Sequence, residues 1–251
     1  MRQTLRIAVL ECDTPLPGAL KRYAGYGGVF RELLNSGAKA LAEKNGKEPV
    51  ALDITKWDVV NEERYPELDD VDGVLLTGSK YNPYEHTPWL LKLIDFTKKV
   101  LAQDRVRLIG VCFGHQVIGR ALGNKVDKNT DGWEISVTPM SLTEKGKELF
   151  GQDHLSLHQM HSCIVYDYPP GVEHLGNSRV CANQGMYIKG RLITVQGHPE
   201  FTKDIVSELL ESRHASGVFD DTMYKDGMDR VGNRHDGVAV AKAFIKFLLE
   251  D

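Results

Sequence analysis

Residues 108–119 read LIGVCFGHQVIG, and where this stretch divides into strand, turn and helix decides the fold. Residues 106–111 form a short apolar run rich in β-branched side chains, the pattern of a strand buried on both faces. Residues 115–122 then follow a helical pattern that stops at Gly123, where a left-handed cap is easiest. Cys112 is therefore expected in a tight turn from strand to helix. Such a turn brings backbone segments so close that a Cβ at the flanking positions clashes, and Gly110 and Gly114 remove both clashes. The pattern G-x-C-x-G matches the G-x-S-x-G elbow that lifts a nucleophile above a sheet, with sulfur in place of oxygen.

Outward from the elbow, residues 5–10, 50–54, 71–76 and 106–111 read as strands, with helical patterns at 29–44 and 89–103 between them. This alternation predicts an α/β fold: a mostly parallel central sheet with helices on both faces. Ligands of such sheets lie beyond the carboxyl ends of the strands, which is where Cys112 stands. After Gly123 the texture changes to an additional antiparallel strand region: 134–142, 157–165, 179–182 and 186–196, the last broken by a hairpin turn at Lys189-Gly190. Helices are expected at 202–212 and 238–249. The segment 214–237, rich in Gly and Asp, reads as a long surface loop. With no internal repeat or low-complexity tract, residues 1–251 are expected to form a single domain.

The 251 residues carry a formal net charge of −4 and no basic stripe, which argues against a nucleic-acid partner. Four cysteines, at 12, 112, 163 and 181, follow neither a metal-binding spacing nor a disulfide framework, so a reducing, cytoplasmic setting is expected. Residues 1–13 contain only a short apolar segment with no small-residue cleavage site. No apolar run reaches the length of a membrane span.

A thiol is mostly protonated at neutral pH, so a reactive Cys112 needs a helix N-terminus and a base to favour its thiolate. The helix after the elbow supplies the first. For the second, residues 195–201, VQGHPEF, place His198 two residues before Glu200; in extended backbone both side chains share one face, and Pro199 disfavours helix at His198. Glu200 would then orient the imidazole and stabilise its protonated form. An oxyanion hole needs backbone N–H groups. Phe113, just after the cysteine, offers one, and the Gly78-Ser79 turn in LLTGSKYNPYE, residues 75–85, offers a second at a neighbouring strand end.

Taken together, GVCFGHQ at 110–116, GHPEF at 197–201 and TGS at 77–79 resemble class I glutamine amidotransferase domains. The resemblance extends through RIAVLECD (6–13), YGGVF (26–30), TGSKYNPYEHTPWL (77–90) and DGWEISVTPMSLTEKGKELFG (131–151), and is strongest toward stand-alone fungal and plant members that include γ-glutamyl peptidases. It implies a flavodoxin-like amidotransferase fold, with Cys112 as nucleophile, His198 as base and Glu200 as its partner. Gly78, Ser79 and Phe113 would serve the oxyanion and substrate, and Gln116 would line the pocket. The implied substrate is a small molecule, glutamine or a γ-glutamyl compound, attacked to give a γ-glutamyl thioester without metal or organic cofactor. With the chain closing at Asp251, ammonia transfer would need a separate synthetase partner; otherwise the protein acts alone as a γ-glutamyl hydrolase. Two departures stand out. Asn124 replaces a second glycine after the elbow helix, and the usual HxDxV pattern appears as His161-Ser162-Cys163-Ile164-Val165.

Blander readings apply elsewhere. Cys12, Cys163 and Cys181 read as small core hydrophobes. His154, His158 and His161 have a spacing that suggests a metal on a helix, but their segment reads as a strand, where the three do not share a face. GYGGVF lacks the spacing of a phosphate cradle. A catalytically silent scaffold that kept the fold is the main rival reading, and the intact Cys112, His198 and Glu200 oppose it.

Overall fold

The structure, a computed structural model, describes residues 4–250; the expectations over 1–251 and over 1–13 take in residues 1–3 and 251, which lie outside them. In chain order the first half runs β1 (Thr4–Glu11), α1 (Pro17–Tyr23), α2 (Tyr26–Asn45), β2 (Ala51–Asp58), β3 (Gly73–Leu76), α3 (Pro88–Leu101), β4 (Arg107–Val111) and α4 (Phe113–Ala121). Next come β5 (Val126–Lys128), β6 (Glu134–Leu142), α5 (Glu144–Phe150), β7 (His154–His161), β8 (Cys163–Val165), β9 (Glu173–His174) and β10 (Gly176–Asn177). The chain then forms β11 (Met186–Ile188), β12 (Leu192–Val195), α6 (Lys203–Ala215), α7 (Asp221–Arg230) and α8 (Gly237–Leu248).

The central sheet has the order β2-β1-β3-β4-β12-β11-β9. Its first five strands are parallel, and β11 and β9 add an antiparallel edge. Side-chain alternation along β1 sorts the core. Leu5, Ile7 and Val9 meet Phe30 and Leu34 of α2 and Phe244 of α8 on one face, while Ala8 and Leu10 meet Leu90 of α3 and Val117 of α4 on the other. Burial on both faces is why these strands read as unbroken apolar runs. Each fully buried Leu or Phe contributes roughly 1.5–3 kcal/mol to this arrangement. Among the described residues no helix is long and apolar enough to cross a membrane.

The antiparallel region departs from expectation in detail. The strand expected over 157–165 divides at Ser162: β7 pairs with β6, and β10 with β6's other edge, whereas β8 pairs with β5. Residues 179–182 form no strand. They lie in a tight turn in which the Ser178 amide donates to the Cys181 carbonyl at 2.9 Å, and the strands nearby, β9 and β10, are each two residues long, too short for periodicity to register. The segment 214–237 holds a helix, α7, rather than a continuous loop. Asp220 caps it, accepting the Met223 N–H at 2.8 Å. Only Met223, Tyr224 and Met228 of this polar helix pack on a third cluster, with Phe219, Ile135, Met160, Phe201 and Leu210, that joins α1, α6 and α7 to the β6–β7 pair. An apolar stripe so thin leaves little helical periodicity to read.

Candidate active site

Cys112 stands at the junction of β4 and α4 with φ 52° and ψ −103°. A non-glycine residue held there costs about 1–3 kcal/mol, which persists only when the surroundings over-determine it. They do so here. Its N–H donates to the Val195 carbonyl of β12 at 2.9 Å, and its carbonyl accepts the Gln116 N–H at 3.0 Å. The glycines act as the sequence argument requires: a Cβ on Gly114 would lie 2.3 Å from the Leu76 carbonyl oxygen, and one on Gly110 would lie 2.6 Å from Ile118 Cδ1. Phe113 is buried behind the elbow with its ring 5.9 Å from that of Trp89.

His198 and Glu200 follow β12, the strand beside β4, so sheet order alone brings them to the elbow. Their side chains meet, His198 Nδ1 to Glu200 Oε1, at 2.7 Å. The backbone is not extended as expected. Pro199 and Glu200 lie in a turn, and His198 makes a single bridge to β7, its N–H donating to the His158 carbonyl at 2.7 Å. The Phe201 ring stacks on the imidazole, centroids 3.9 Å apart and planes 4° from parallel. Burial works against the imidazolium, but the Cys112 thiolate and the Glu200 carboxylate, through charge and hydrogen bonding, outweigh it and raise the His198 pKa to about 10. Gly78 reaches the same imidazole: a Cβ there would stand 2.6 Å from His198 Cε1. Gly78, Cys112, His198 and Glu200 thus lie together, with Phe113 next to Cys112 in the chain.

Cys112 opens on a cavity of about 460 Å³ that Ser79 and Gln116 also line. A larger groove of about 700 Å³, walled by Tyr65, Leu68, Lys92 and Phe96, shares no residue with it. Gln116 Nε2 donates to the Cys163 carbonyl at 2.7 Å and to Gln196 Oε1 at 3.0 Å. Both amide protons are thereby engaged, and its oxygen is left as the free polar atom. The missing carboxylate of the HxDxV pattern has a counterpart across the sheet. His161 Nε2 lies 3.0 Å from Glu134 Oε2, the residue facing it in the β6–β7 register, and Gln184 donates to the same oxygen at 2.8 Å. Burial opposes ionisation of Glu134, but His161 and the hydrogen bonds from Ser178 and Gln184 overcome it and lower its pKa.

Sequence reasoning missed Arg213 of α6, which also lines the cavity. Its guanidinium lies 4.8 Å from the Trp133 ring centroid, and among the described residues it has no carboxylate partner. The missed polar residues Gln159, Gln184 and Gln196 are fully buried. Their one signal was polarity inside or beside apolar strand runs. Cys12, Cys163 and Cys181 are buried free thiols, as expected; burial raises them to about 12, 11 and 12 respectively. Among the described residues no group of three or more His, Cys, Asp or Glu is placed to hold a metal.

Residues 32–211 match the family model of class-I glutamine amidotransferases. The chain belongs to the class I glutamine amidotransferase family. Among amidotransferase relatives it is similar to a glutamine amidotransferase-like protein of Schizosaccharomyces pombe, 33% identical over 248 residues, 97% of this chain and 98% of that one. It is also similar to gamma-glutamyl peptidase 4 of Arabidopsis thaliana, 29% identical over 211 residues, 79% of this chain and 77% of that one. In fold it matches the crystal structure of a glutamine amidotransferase from Thermotoga maritima, with a TM-score of 0.72 and 17% identity over 97% of this chain and 98% of the other. Membership in this amidotransferase family supports a hydrolase or amidotransferase function.

Proposed function

We propose that the protein hydrolyses γ-glutamyl amides through Cys112, acting on a γ-glutamyl compound without a synthetase. The observation that carries the proposal is the meeting of the Cys112 elbow with the buried His198–Glu200 pair. In the proposed cycle the Cys112 thiolate adds to the γ-carbonyl, and the oxygen takes the negative charge, facing the Phe113 and Gly78 amides. The His198 imidazolium, steadied by Glu200, protonates the departing amine as the C–N bond breaks. Water, deprotonated by the same imidazole, then attacks the thioester and frees glutamate and the thiol.

The cavity suits a zwitterionic γ-glutamyl end: Arg213 offers a cation for a carboxylate, and the free Gln116 oxygen an acceptor for an ammonium. Beyond them Tyr81, Trp133 and Val218 give an apolar wall to a leaving group larger than ammonia. The likeness to gamma-glutamyl peptidase 4 supports the same choice. Glutamate release by the isolated protein from glutamine, glutathione and a glutathione S-conjugate tests it. Turnover of a γ-glutamyl peptide, abolished in Cys112→Ser, is the expected result. Turnover of glutamine alone would favour a glutaminase subunit feeding a separate synthetase. No glutamate from any of the three would leave the silent scaffold standing.

A further inference from the structure

The turn carrying Gly78 contains two side-chain ties that the proposed reaction does not use. Thr77 is fully buried at the end of β3. Its hydroxyl donates to the Gly78 carbonyl at 3.0 Å and accepts the Cys12 N–H at 2.9 Å. Its backbone is tied as well: the amide donates to the Leu10 carbonyl at 3.2 Å, and the carbonyl accepts the Gly114 N–H at 3.1 Å. One residue therefore joins the end of β1, the elbow helix and the turn. Three residues on, Asp13 holds the other end of that turn. Its carboxylate accepts the Lys80 backbone N–H at 2.9 Å and the Lys80 ammonium at 2.8 Å, with a third bond from the Thr14 N–H at 2.7 Å. Its side chain is only 7% exposed.

From this geometry we infer that Thr77 and Asp13 are positioning residues that clamp the 77–80 turn from both ends and so fix the Gly78 amide relative to Cys112. The inference rests on the reading of Cys112 as nucleophile and of the Gly78 amide as an oxyanion donor. The physical need is specific. Gly78 has no side chain to anchor it and stands against the His198 ring; its N–H shares a peptide plane with the Thr77 carbonyl, which the Gly114 N–H holds, and the Thr77 hydroxyl and Asp13 hold the peptides that follow, so that the backbone does not rotate about Gly78. An oxyanion donor turned away from the developing charge stabilises the transition state less while ground-state binding is little changed.

The test compares Thr77→Val, Thr77→Ser, Asp13→Ala and Cys112→Ser in the full chain. Thr77→Val keeps the shape of the side chain and removes the hydroxyl; kcat is expected to fall about tenfold with KM within about twofold, and Thr77→Ser to restore most of the loss. Alkylation of Cys112 by iodoacetamide, a displacement that builds no oxyanion, should proceed at the wild-type rate in Thr77→Val. That split marks a clamp on the turn; equal loss of alkylation and turnover would mean a general loosening of the site and overturn the inference. If Thr77→Val does not fold, Asp13→Ala decides the matter, with a fall in kcat of about three- to tenfold expected. Wild-type kcat in every folded Thr77 and Asp13 variant, with Cys112→Ser inactive, overturns the inference and leaves the nucleophile in place. Turnover persisting in Cys112→Ser removes the reading on which it rests.

Discussion

At the scale of single residues the site is deeply buried, and Cys112 reaches solvent only through its cavity. Of the four cysteines only Cys112 joins a helix N-terminus to a histidine, while burial keeps the other three as thiols. A glutamine-like electrophile is accordingly expected to modify Cys112 first, and peptide mapping by mass spectrometry reads the outcome; label chiefly on Cys12, Cys163 or Cys181 contradicts the assignment. Glu200→Gln keeps the shape but removes the charge facing the imidazolium, and a loss of turnover on the order of 10³-fold is expected from steady-state rates. The same pair has a thermodynamic signature. His198 is raised from 6.5 to about 10 on folding, so its contribution to stability is complete below pH 6.5 and declines as pH rises toward 10. Denaturant midpoints measured at both ends of that window should show a smaller decline in Glu200→Gln, because the carboxylate is one of the causes that raise the pKa.

At the scale of elements, α7 shows how a polar helix is held. Arg230 donates to the Ile135 carbonyl at 3.0 Å and the Val137 carbonyl at 2.7 Å, and between them Ser136, at φ 58°, sends its hydroxyl to the Gly227 carbonyl at 2.8 Å. Arg230→Ala should destabilise the protein by about 1–3 kcal/mol and open residues 216–236 to limited proteolysis; an unchanged melting temperature and digestion pattern would assign the anchoring to the apolar contacts alone. This was the least legible part of the sequence, because α7 is joined to the rest by side-chain-to-carbonyl bonds between distant segments, which leave no local pattern. The elements around β4 were legible for the opposite reason. Their partners lie on both faces of a sheet, so the apolar runs and the 3.6-residue pattern of α4 survive in the chain itself. His198 and Glu200 were legible from spacing even though their backbone proved to be a turn, whereas Thr77, Asp13 and Arg213 act through contacts that only the folded chain brings about.

At the scale of the whole molecule, two clusters sandwich the central sheet and a third attaches α6 and α7 to the β6–β7 pair. Phe244→Ala, in the first, is expected to cost roughly 3–5 kcal/mol and lower protection throughout the sheet. Phe219→Ala, in the third, should instead raise hydrogen exchange in residues 216–231 while β1, β3 and β4 stay protected, with KM rising because Val218 and Arg213 line the cavity. Uniform loss of protection in both variants would show that the clusters unfold as one. The backbone of Cys112 ties chemistry to this architecture. Its φ of 52° is unfavourable in an isolated turn and is imposed by β4, β12 and α4 acting together. A chain still emerging from the ribosome therefore carries an ordinary thiol at position 112. On the proposed reading of Cys112 as nucleophile, its reactivity should appear only once β12, encoded eighty residues downstream, has docked beside β4, so a fast-labelling thiol during refolding is expected to coincide with completion of the sheet, and the unfinished chain would be spared a stray nucleophile.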